Sequence, residues 1–295
     1  MFASLVSAPE TDLVAATRQL AGWVRDGRLG GIHLEGPFLA QSRRGAHDLG
    51  ALRDGDAALV ERVVDAAADG GAPGAIRQMT IAPDRPGADR LPEVLGRLGI
   101  RVAVGHTDAD ATITERVLRE AAQRSGAPAV VTHVFNAMPP IQGREPGAAA
   151  GAIRVAVAGD AVLEVIADGI HLAPDTVRML FEVVGPASIS LVSDAMAATG
   201  LPHGDYRLGP LPVRVSERGA RVVDTDAIAG SIAHLADCVR WAVVVAGVPL
   251  PDAVRSATVT PAQTYGLDAG RIVVGGPARV LVLDADLRPV PLSTR

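Results

Sequence analysis

Polar side chains that can bind a metal follow several apolar runs of the sequence, where those runs end. Glu35 closes GIHLE (31–35), His106 closes RVAVGH (101–106), and His133 lies in AVVTHVF (129–135). Two neutral imidazoles and one carboxylate are a usual ligand set for catalytic Zn²⁺, and they leave a position open for water. A buried carboxylate is also costly unless something positive meets it. The residue types therefore favour a metal-dependent site.

Each of these residues also has a purely structural interpretation. Glu35 could be a capping or salt-bridged acid, His106 a loop histidine, and His133 a hydrogen-bonded core histidine. Asp194, in VSDAMAATG, could cap a helix. The joint pattern is less expected by chance, because polar groups from separate strands would converge at one edge of a parallel sheet. In that case Asp194 would be available to transfer protons.

The remaining polar residues are weaker candidates. His33 is two residues before Glu35 on the same face of its strand, which favours a supporting or core position over a ligand. His47, in RRGAH, and His171, after ADG, could reach a substrate. His203 and His234 are interpreted as surface or interface residues.

Composition excludes several kinds of function. The chain contains no lysine, so a Schiff-base lysine, a P-loop lysine and a carbamylated lysine between two metals are all absent. GxSxG and a GxGxxG after a strand are absent as well. A net charge of -5 and 3% aromatic residues argue against nucleic acid as a partner. The single cysteine, Cys238, indicates a reducing compartment, and with no signal peptide or membrane span in the sequence we expect a cytoplasmic protein.

Apolar runs alternate with longer Ala-, Leu- and Arg-rich segments over some 200 residues, which predicts an α/β fold with a parallel sheet, open or closed into a barrel. The predicted strands are 2–6, 31–35, 75–82, 101–106, 129–135, 163–168 and 188–194. The predicted helices between them are 11–27, 56–70, 91–99, 108–126 and 173–185.

The pattern changes after residue 203. Short antiparallel strands are predicted in 205–224 and 270–290, and helices in 231–247 and 250–266. We therefore predict a barrel domain made of 1–203 and 228–267, and a partial β-sandwich subdomain made of 204–227 and 268–295.

Distinctive motifs are spread over nearly the whole chain: GIHLEGPF, RRGAH, VGHTDAD, THVFNAMPP, GREPG, IADGIHLAP, SDAMAATG, IAGSIAHL and GRIVVGGPARVLVLD. Together, and in this order, they resemble the N-acetylglucosamine-6-phosphate deacetylases of the amidohydrolase superfamily. The resemblance implies a (β/α)₈ barrel with a small β-sandwich. It also implies hydrolysis of the acetamide of an N-acetylhexosamine 6-phosphate to the amino sugar phosphate and acetate.

The resemblance also implies roles for individual residues. Glu35, His106 and His133 would bind one divalent ion, with Zn²⁺ first and Fe²⁺ or another ion left open. Asp194 would activate the attacking water and then protonate the leaving amine, and His47 would steady the developing oxyanion. The implied substrate contacts, including His47 again, are Ala46, His47, Asn136, Ala137, Arg144 and His171. In the family the arginine can be offered across a dimer interface, so we expect a homodimer that binds a small sugar phosphate.

The sequence departs from the family pattern at its front. It begins at what corresponds to the second barrel strand, so we expect the first strand, and the His-x-His metal motif that many members carry there, to be missing. The alternative is therefore an inactive truncated homologue that only binds sugar phosphate or pairs with an intact subunit. A related hydrolase of cyclic amides is less favoured by the FNAM and REPG motifs. The sequence leaves open whether the sugar is N-acetylglucosamine or N-acetylgalactosamine phosphate.

Overall fold

The computed structural model describes residues 1–291, which contacts between residues divide into two compact units. The first unit consists of Met1–Leu163 and Gly209–Leu211. The second consists of Glu164–Leu208 and the chain from Pro212 onward. The boundary falls within a strand and follows internal contacts alone, so the predicted division into barrel and sandwich stays a prediction.

Parallel strands in chain order form the framework of the first unit. They are β1 (Phe2–Val6), β2 (Gly31–Glu35), β3 (Ile76–Ile81), β4 (Arg101–Val104), β5 (Ala129–Val131) and β6 (Ala161–Ile166). The register pairs Val6 with Glu35 and Glu35 with Thr80. Because parallel neighbours end together, the residues that follow β1, β2, β4 and β5 lie at one edge of the sheet.

Five helices accompany these strands: α1 (Glu10–Arg25), α2 (Ala57–Asp69), α3 (Leu91–Arg97), α4 (Ala111–Ser125) and α5 (Gly147–Val157). The sequence predicted the first four. Side-chain caps begin two of them, since Asp56 accepts from the Ala58 and Leu59 N–H groups and Asp110 accepts from the Ile113 N–H. The sequence pattern did not predict α5, GAAAGAIRVAV, because its small apolar residues are buried on most sides and leave no polar face to mark the helical period.

The core of the first unit is built around β2. All five residues of this strand are buried, and Phe38 and Leu39 follow it with no exposed surface. Burying a side chain of this size contributes about 1.5–3 kcal/mol. The strand that carries Glu35 is therefore fixed by packing on both faces.

The second unit begins with the end of β6, whose neighbour in the sheet is β7 (Ile189–Val192). Its helices are α6 (Pro174–Val184), α7 (Leu235–Val244), α8 (Leu250–Ala257) and α9 (Val259–Thr264). The helical prediction for 250–266 is confirmed as two helices, because the backbone of Thr258 leaves the helical region at φ -132° and ψ -73°.

The remaining strands form two separate small sheets. One contains β8 (Gly204–Leu208), β9 (Leu211–Ser216) and β10 (Gly219–Val222), and the other contains β11 (Val282–Leu283) and β12 (Pro289–Val290). β9 and β10 are antiparallel, as are β11 and β12. Short strands are therefore confirmed in both predicted regions, while residues 292–295 of the predicted subdomain lie outside the described residues. No helix within residues 1–291 has the length and apolar character to cross a bilayer.

Candidate metal centre and active site

Glu35, His106 and His133 lie together at the carboxyl edge of the first unit's sheet. The Glu35 Oε1 atom is 2.9 Å from the Nε2 atom of each histidine, and the two Nε2 atoms are 3.1 Å apart. All three side chains are buried, with 5–6% of each residue exposed. The structure thus brings together the three residues that the sequence predicts as metal ligands.

A hydrogen bond to the main chain decides which ring nitrogen of neutral His106 carries the proton. The Nδ1 atom lies 2.7 Å from the Arg43 carbonyl oxygen, which can only accept a hydrogen bond, so Nδ1 carries the proton. In the neutral ring, Nε2 therefore presents a lone pair to the Oε1 atom of Glu35. Burial lowers the pKa of His106 to about 4, although the hydrogen bond with Glu35 favours the charged ring.

This arrangement fits a cation. A lone pair of His106 Nε2 faces a carboxylate oxygen at 2.9 Å, and two acceptors at that distance repel unless a positive charge lies between them. Burial acts to raise the pKa of Glu35, but the His106, His133 and His47 rings, which in their charged forms donate hydrogen bonds to it, hold that pKa well below its usual range. Atoms that bind one tetrahedral Zn²⁺ at its usual distances lie roughly 3.3 Å apart. The observed spacings of 2.9–3.1 Å need to open by only a few tenths of an ångström.

Both histidines of this cluster have backbone conformations that residues other than glycine rarely adopt. His106 has φ 49° and His133 has φ 30°, and Phe135 and Ala137 continue the left-handed pattern at 75° and 52°. Such residues cost of order 1–3 kcal/mol each and persist only where the surrounding structure imposes them. Their concentration after β4 and β5 indicates that this edge of the sheet is specialised for function.

His47 is held in the opposite tautomer. Its Nδ1 atom accepts from the Ser7 backbone N–H at 3.2 Å, which places the ring proton on Nε2 in the neutral form. That Nε2 atom is 3.8 Å from Glu35 Oε1, and the His47 ring lies edge-on to His106 with centroids 4.7 Å apart. The cluster therefore contains one imidazole that offers a lone pair and one that offers a hydrogen-bond donor.

A tight turn at Gly36 and Pro37 follows β2. The Gly36–Pro37 peptide bond is cis, and Gly36 has φ 85°. A Cβ atom at Gly36 would lie 2.4 Å from Ser7 Oγ, so both the backbone and the space require glycine. Ser7 Oγ in turn donates to the Glu35 carbonyl at 3.2 Å, which links the ends of β1 and β2.

The predicted substrate residues of the first unit lie on two loops. Ala46 is half-buried beside His47, and Asn136 and Ala137 are half-buried in the turn after His133. The Asn136 Nδ2 group donates to the His133 carbonyl at 3.1 Å, which ties this turn to a proposed ligand. Arg144 is exposed on the following loop.

In the second unit, His171 is held by Asp168. The Asp168 Oδ2 atom accepts from His171 Nδ1 at 2.8 Å and from Ser231 Oγ at 2.7 Å, while Oδ1 accepts from the Ile170 and His171 N–H groups. Burial opposes ionisation, but these hydrogen bonds hold the pKa of Asp168 well below its usual range. The Nδ1 atom of His171 is thereby engaged, and Nε2 is the ring nitrogen that faces away from Asp168.

Asp194 directly follows β7 and is half-buried with φ 48°. Its carbonyl accepts from the Ser231 N–H at 2.7 Å, and the Met196 N–H donates to the Ser231 carbonyl at 2.9 Å. Ser231 thus fixes the backbone around Asp194 while its hydroxyl supports Asp168.

The other histidines follow their sequence interpretation. His33 is a buried core residue whose Nδ1 atom is 3.0 Å from Ser4 Oγ and whose Nε2 atom is 2.7 Å from Thr80 Oγ1. His203 and His234 are exposed.

Sequence reasoning missed three supporting groups: the Ser7 main chain, the Arg43 carbonyl and the Ser231 hydroxyl. The signal for Ser7 was present, since it follows β1 as Glu35 ends β2. Ser231 lies in the IAGSIAHL motif but carried no predicted role. A main-chain carbonyl such as that of Arg43 leaves no signal in residue types.

Acid is expected to destabilise the metal-free protein through His106. Its folded pKa of about 4 lies below the value near 6.5 of an unfolded histidine, so the folded chain binds fewer protons. Stability is therefore present above pH about 6.5 and is lost as pH falls toward 4. Urea unfolding in the presence of a chelator, repeated across this pH range, measures how steeply the free energy of unfolding changes with pH. The His106→Gln variant is expected to reduce this slope by up to about 1.4 kcal/mol per pH unit. Equal slopes for both proteins would contradict the assignment.

The chain is similar to known proteins over most of its length. The model of the amidohydrolase family matches residues 31–294. A Bos taurus N-acetylglucosamine-6-phosphate deacetylase is 36% identical over 261 residues, which cover 87% of this chain and 61% of the bovine protein. The chain thus spans somewhat less than two thirds of the length of this curated relative.

Two solved structures are also similar to this chain over almost its whole length. A mutant of the Mycobacterium smegmatis N-acetyl-D-glucosamine-6-phosphate deacetylase, in complex with N-acetyl-D-glucosamine-6-phosphate, is 43% identical with a TM-score of 0.89. The similarity covers 98% of this chain and 73% of that one. The Thermotoga maritima enzyme of the same name is 26% identical with a TM-score of 0.85, over 98% of this chain and 75% of that one. These similarities confirm the predicted amidohydrolase barrel class, and with the His-His-Glu cluster they support a divalent metal.

Proposed function

Because the chain belongs to the amidohydrolase family, we propose that it hydrolyses the acetamide of N-acetylglucosamine 6-phosphate to glucosamine 6-phosphate and acetate. The observation that carries the proposal is the buried convergence of Glu35, His106 and His133 within 2.9–3.1 Å. It is supported by the relatives, which bear the name of this activity.

Glu35, His106 and His133 would hold one divalent ion, with Zn²⁺ as the proposed metal because two imidazoles and a carboxylate suit it. When bound there, the ion would polarise the acetyl carbonyl and lower the pKa of a water molecule toward neutrality. The chain's own contribution is to keep the ligands deprotonated, which the low pKa of His106 and of Glu35 favours.

Asp194 is proposed to carry out both proton transfers of the reaction. Its carboxylate takes a proton from the attacking water as the oxygen–carbon bond forms, and it gives that proton to the amide nitrogen as the carbon–nitrogen bond breaks. The products are then the free amine and acetate. The left-handed backbone of Asp194, held through Ser231, supports a specialised role for this residue.

His47 is proposed to stabilise the negative charge that develops on the acetyl oxygen. Ser7 keeps the ring in the tautomer with a donor at Nε2, which is the group that an oxyanion requires. The donor is fixed before the substrate arrives, so no reorganisation is needed during the reaction.

The substrate contacts are also proposals. Asn136 and the Ala137 backbone would bind the phosphate, because Phe135 and Ala137 are left-handed on either side of Asn136 and such alternation is typical of main-chain anion sites. Arg144 would add a guanidinium partner, and its exposure suits a group offered across the interface of a homodimer. Ala46 would contact the substrate beside His47, and His171 the sugar hydroxyls. The buried thiol of Cys238 is compatible with the cytoplasm as the proposed location.

His47→Ala is expected to lower kcat by about 10²–10³-fold, the usual effect of removing one oxyanion donor. Zinc content is expected to stay unchanged, because His47 is not a proposed ligand. His203→Ala, which removes an exposed imidazole, is the matched control. A kcat for His47→Ala equal to that of the control would contradict the role.

The proposed substrate is tested by comparing acetate release from N-acetylglucosamine with and without the 6-phosphate. We expect kcat/KM to be at least about 100-fold higher for the phosphorylated sugar, because charge-assisted contacts to phosphate are among the stronger hydrogen bonds. Equal values for the two sugars, or no acetate from either, would overturn the proposed substrate.

A further inference from the structure

A turn formed by residues 40–47 packs around His106. The Ala40 N–H donates to the His106 carbonyl at 2.9 Å, and the His106 Nδ1–H donates to the Arg43 carbonyl at 2.7 Å. A Cβ atom at Gly45 would lie 3.3 Å from His106 Cε1, so the turn also lies against the ring. The main chain of this turn therefore sets both the orientation and the tautomer of His106.

Asp108 links this turn to the loop that carries His106. Its Oδ1 atom accepts from Arg43 Nε at 2.5 Å, and its Oδ2 atom accepts from Ser42 Oγ. Asp108 is only two residues after His106, and the side chains of Asp108 and Arg43 are each 34% exposed. The carboxylate thus bonds to Ser42 and Arg43, and the Arg43 carbonyl is the one that His106 requires.

An ordinary ion pair at a protein surface contributes little to stability and has no further effect. This pair differs because Arg43 makes two contacts to the loop that carries His106, one through its side chain and one through its main chain. Its guanidinium meets Asp108 while its carbonyl meets His106 Nδ1. Without the ion pair, Arg43 keeps the bond from its N–H to the Ala40 carbonyl at 3.0 Å but loses the side-chain contact that joins it to the loop of His106.

We propose that Asp108 is a positioning residue for His106 and acts through the Arg43 carbonyl. The ion pair keeps that carbonyl in place, so that Nδ1 carries the proton and Nε2 presents its lone pair toward Glu35. The inference rests on the proposed function, in that it takes Glu35, His106 and His133 as the metal ligands.

Asp108→Asn tests the proposal through zinc affinity. Groups that support a metal ligand typically change affinity by 10–100-fold, so the zinc Kd is expected to rise at least about 10-fold. Asp110→Asn is the matched control: it makes the same change in charge four residues after His106, at an aspartate that caps α4 through the Ile113 N–H. The control is expected to stay within about threefold of the wild-type Kd, because asparagine also caps helices well.

The tautomer gives a second readout that needs neither metal nor substrate. In metal-free protein, ¹⁵N NMR distinguishes the protonated nitrogen of His106 from the bare one, since the two ring nitrogens are chemically distinct. We expect the proton on Nδ1 in the wild type and in Asp110→Asn, and a mixture of tautomers in Asp108→Asn. Should Asp108→Asn fail to fold, Arg43→Ala removes the same ion pair and keeps the carbonyl.

The outcomes separate the two proposals. An unchanged zinc Kd together with an unchanged tautomer in Asp108→Asn would overturn the positioning role, whatever the activity. A wild-type protein that releases no acetate would overturn the proposed function, while the tautomer measurement would still decide the role of Asp108.

Discussion

Glu35→Gln is expected to abolish zinc binding in the micromolar range and, with it, the release of acetate. The change keeps the shape of the side chain but removes the only negative charge among the three proposed ligands. The wild-type carboxylate oxygen and the two imidazole nitrogens lie 2.9–3.1 Å from one another, and in the variant an amide group replaces that carboxylate. Changes in groups that merely support a ligand cost 10–100-fold, so loss of a ligand is expected to weaken binding by more than about 100-fold.

The effect of Glu35→Gln is measured as the gain in unfolding free energy on adding zinc. At a free concentration 100 times the Kd, a ligand that binds only the folded state adds about 2.7 kcal/mol, and this gain is expected to vanish in the variant. The metal-free variant is expected to fold, because the new amide can donate to the histidine lone pairs. Glu93→Gln, an exposed glutamate on α3, controls for the change in charge. A variant that retains the full zinc-dependent gain would remove Glu35 from the metal site.

Asp194→Asn is expected to lower kcat by about 10²–10⁴-fold, the usual contribution of a general acid–base group. Asparagine has nearly the same shape but cannot take the proton from water or return it to the leaving nitrogen. Zinc affinity and KM are expected to change little, since the lost interaction belongs to the transition state alone.

The backbone at Asp194 requires a particular control for this variant. Asp194 has φ 48°, and asparagine is one of the few residues that tolerates this region. Asp226→Asn makes the same change at another left-handed aspartate, with φ 55°, on the loop after β10. A kcat for Asp194→Asn within a few-fold of this control would contradict the proposed proton transfer.

Strand ends account for what the sequence could predict about the site. Each proposed ligand lies at or just after the end of an apolar run, and parallel strands bring such ends to one edge. Local periodicity and residue type are therefore enough to identify Glu35, His106 and His133 as candidate ligands. The alternation of strands and helices was predictable for the same reason.

The tautomers of His47 and His106 could not be predicted from the sequence, because hydrogen-bond partners distant in the chain decide them. The Ser7 N–H reaches His47 from 40 residues away, and the Arg43 carbonyl reaches His106 from 63 residues away. These contacts give the two imidazoles opposite chemical properties, although both belong to the same residue type. Helix α5 was not predicted from the sequence for a different reason: a helix of small buried residues has no amphipathic pattern to detect.

One metal ion at Glu35, His106 and His133 is proposed to make this chain a deacetylase. The most direct measurement titrates metal-free protein with Zn²⁺ and follows acetate release from N-acetylglucosamine 6-phosphate. The rate is expected to rise linearly and to reach its plateau at one ion per chain, with amine and acetate formed in equal amounts. Zinc that binds with no acetate released, or a plateau only at two ions per chain, would contradict the claim.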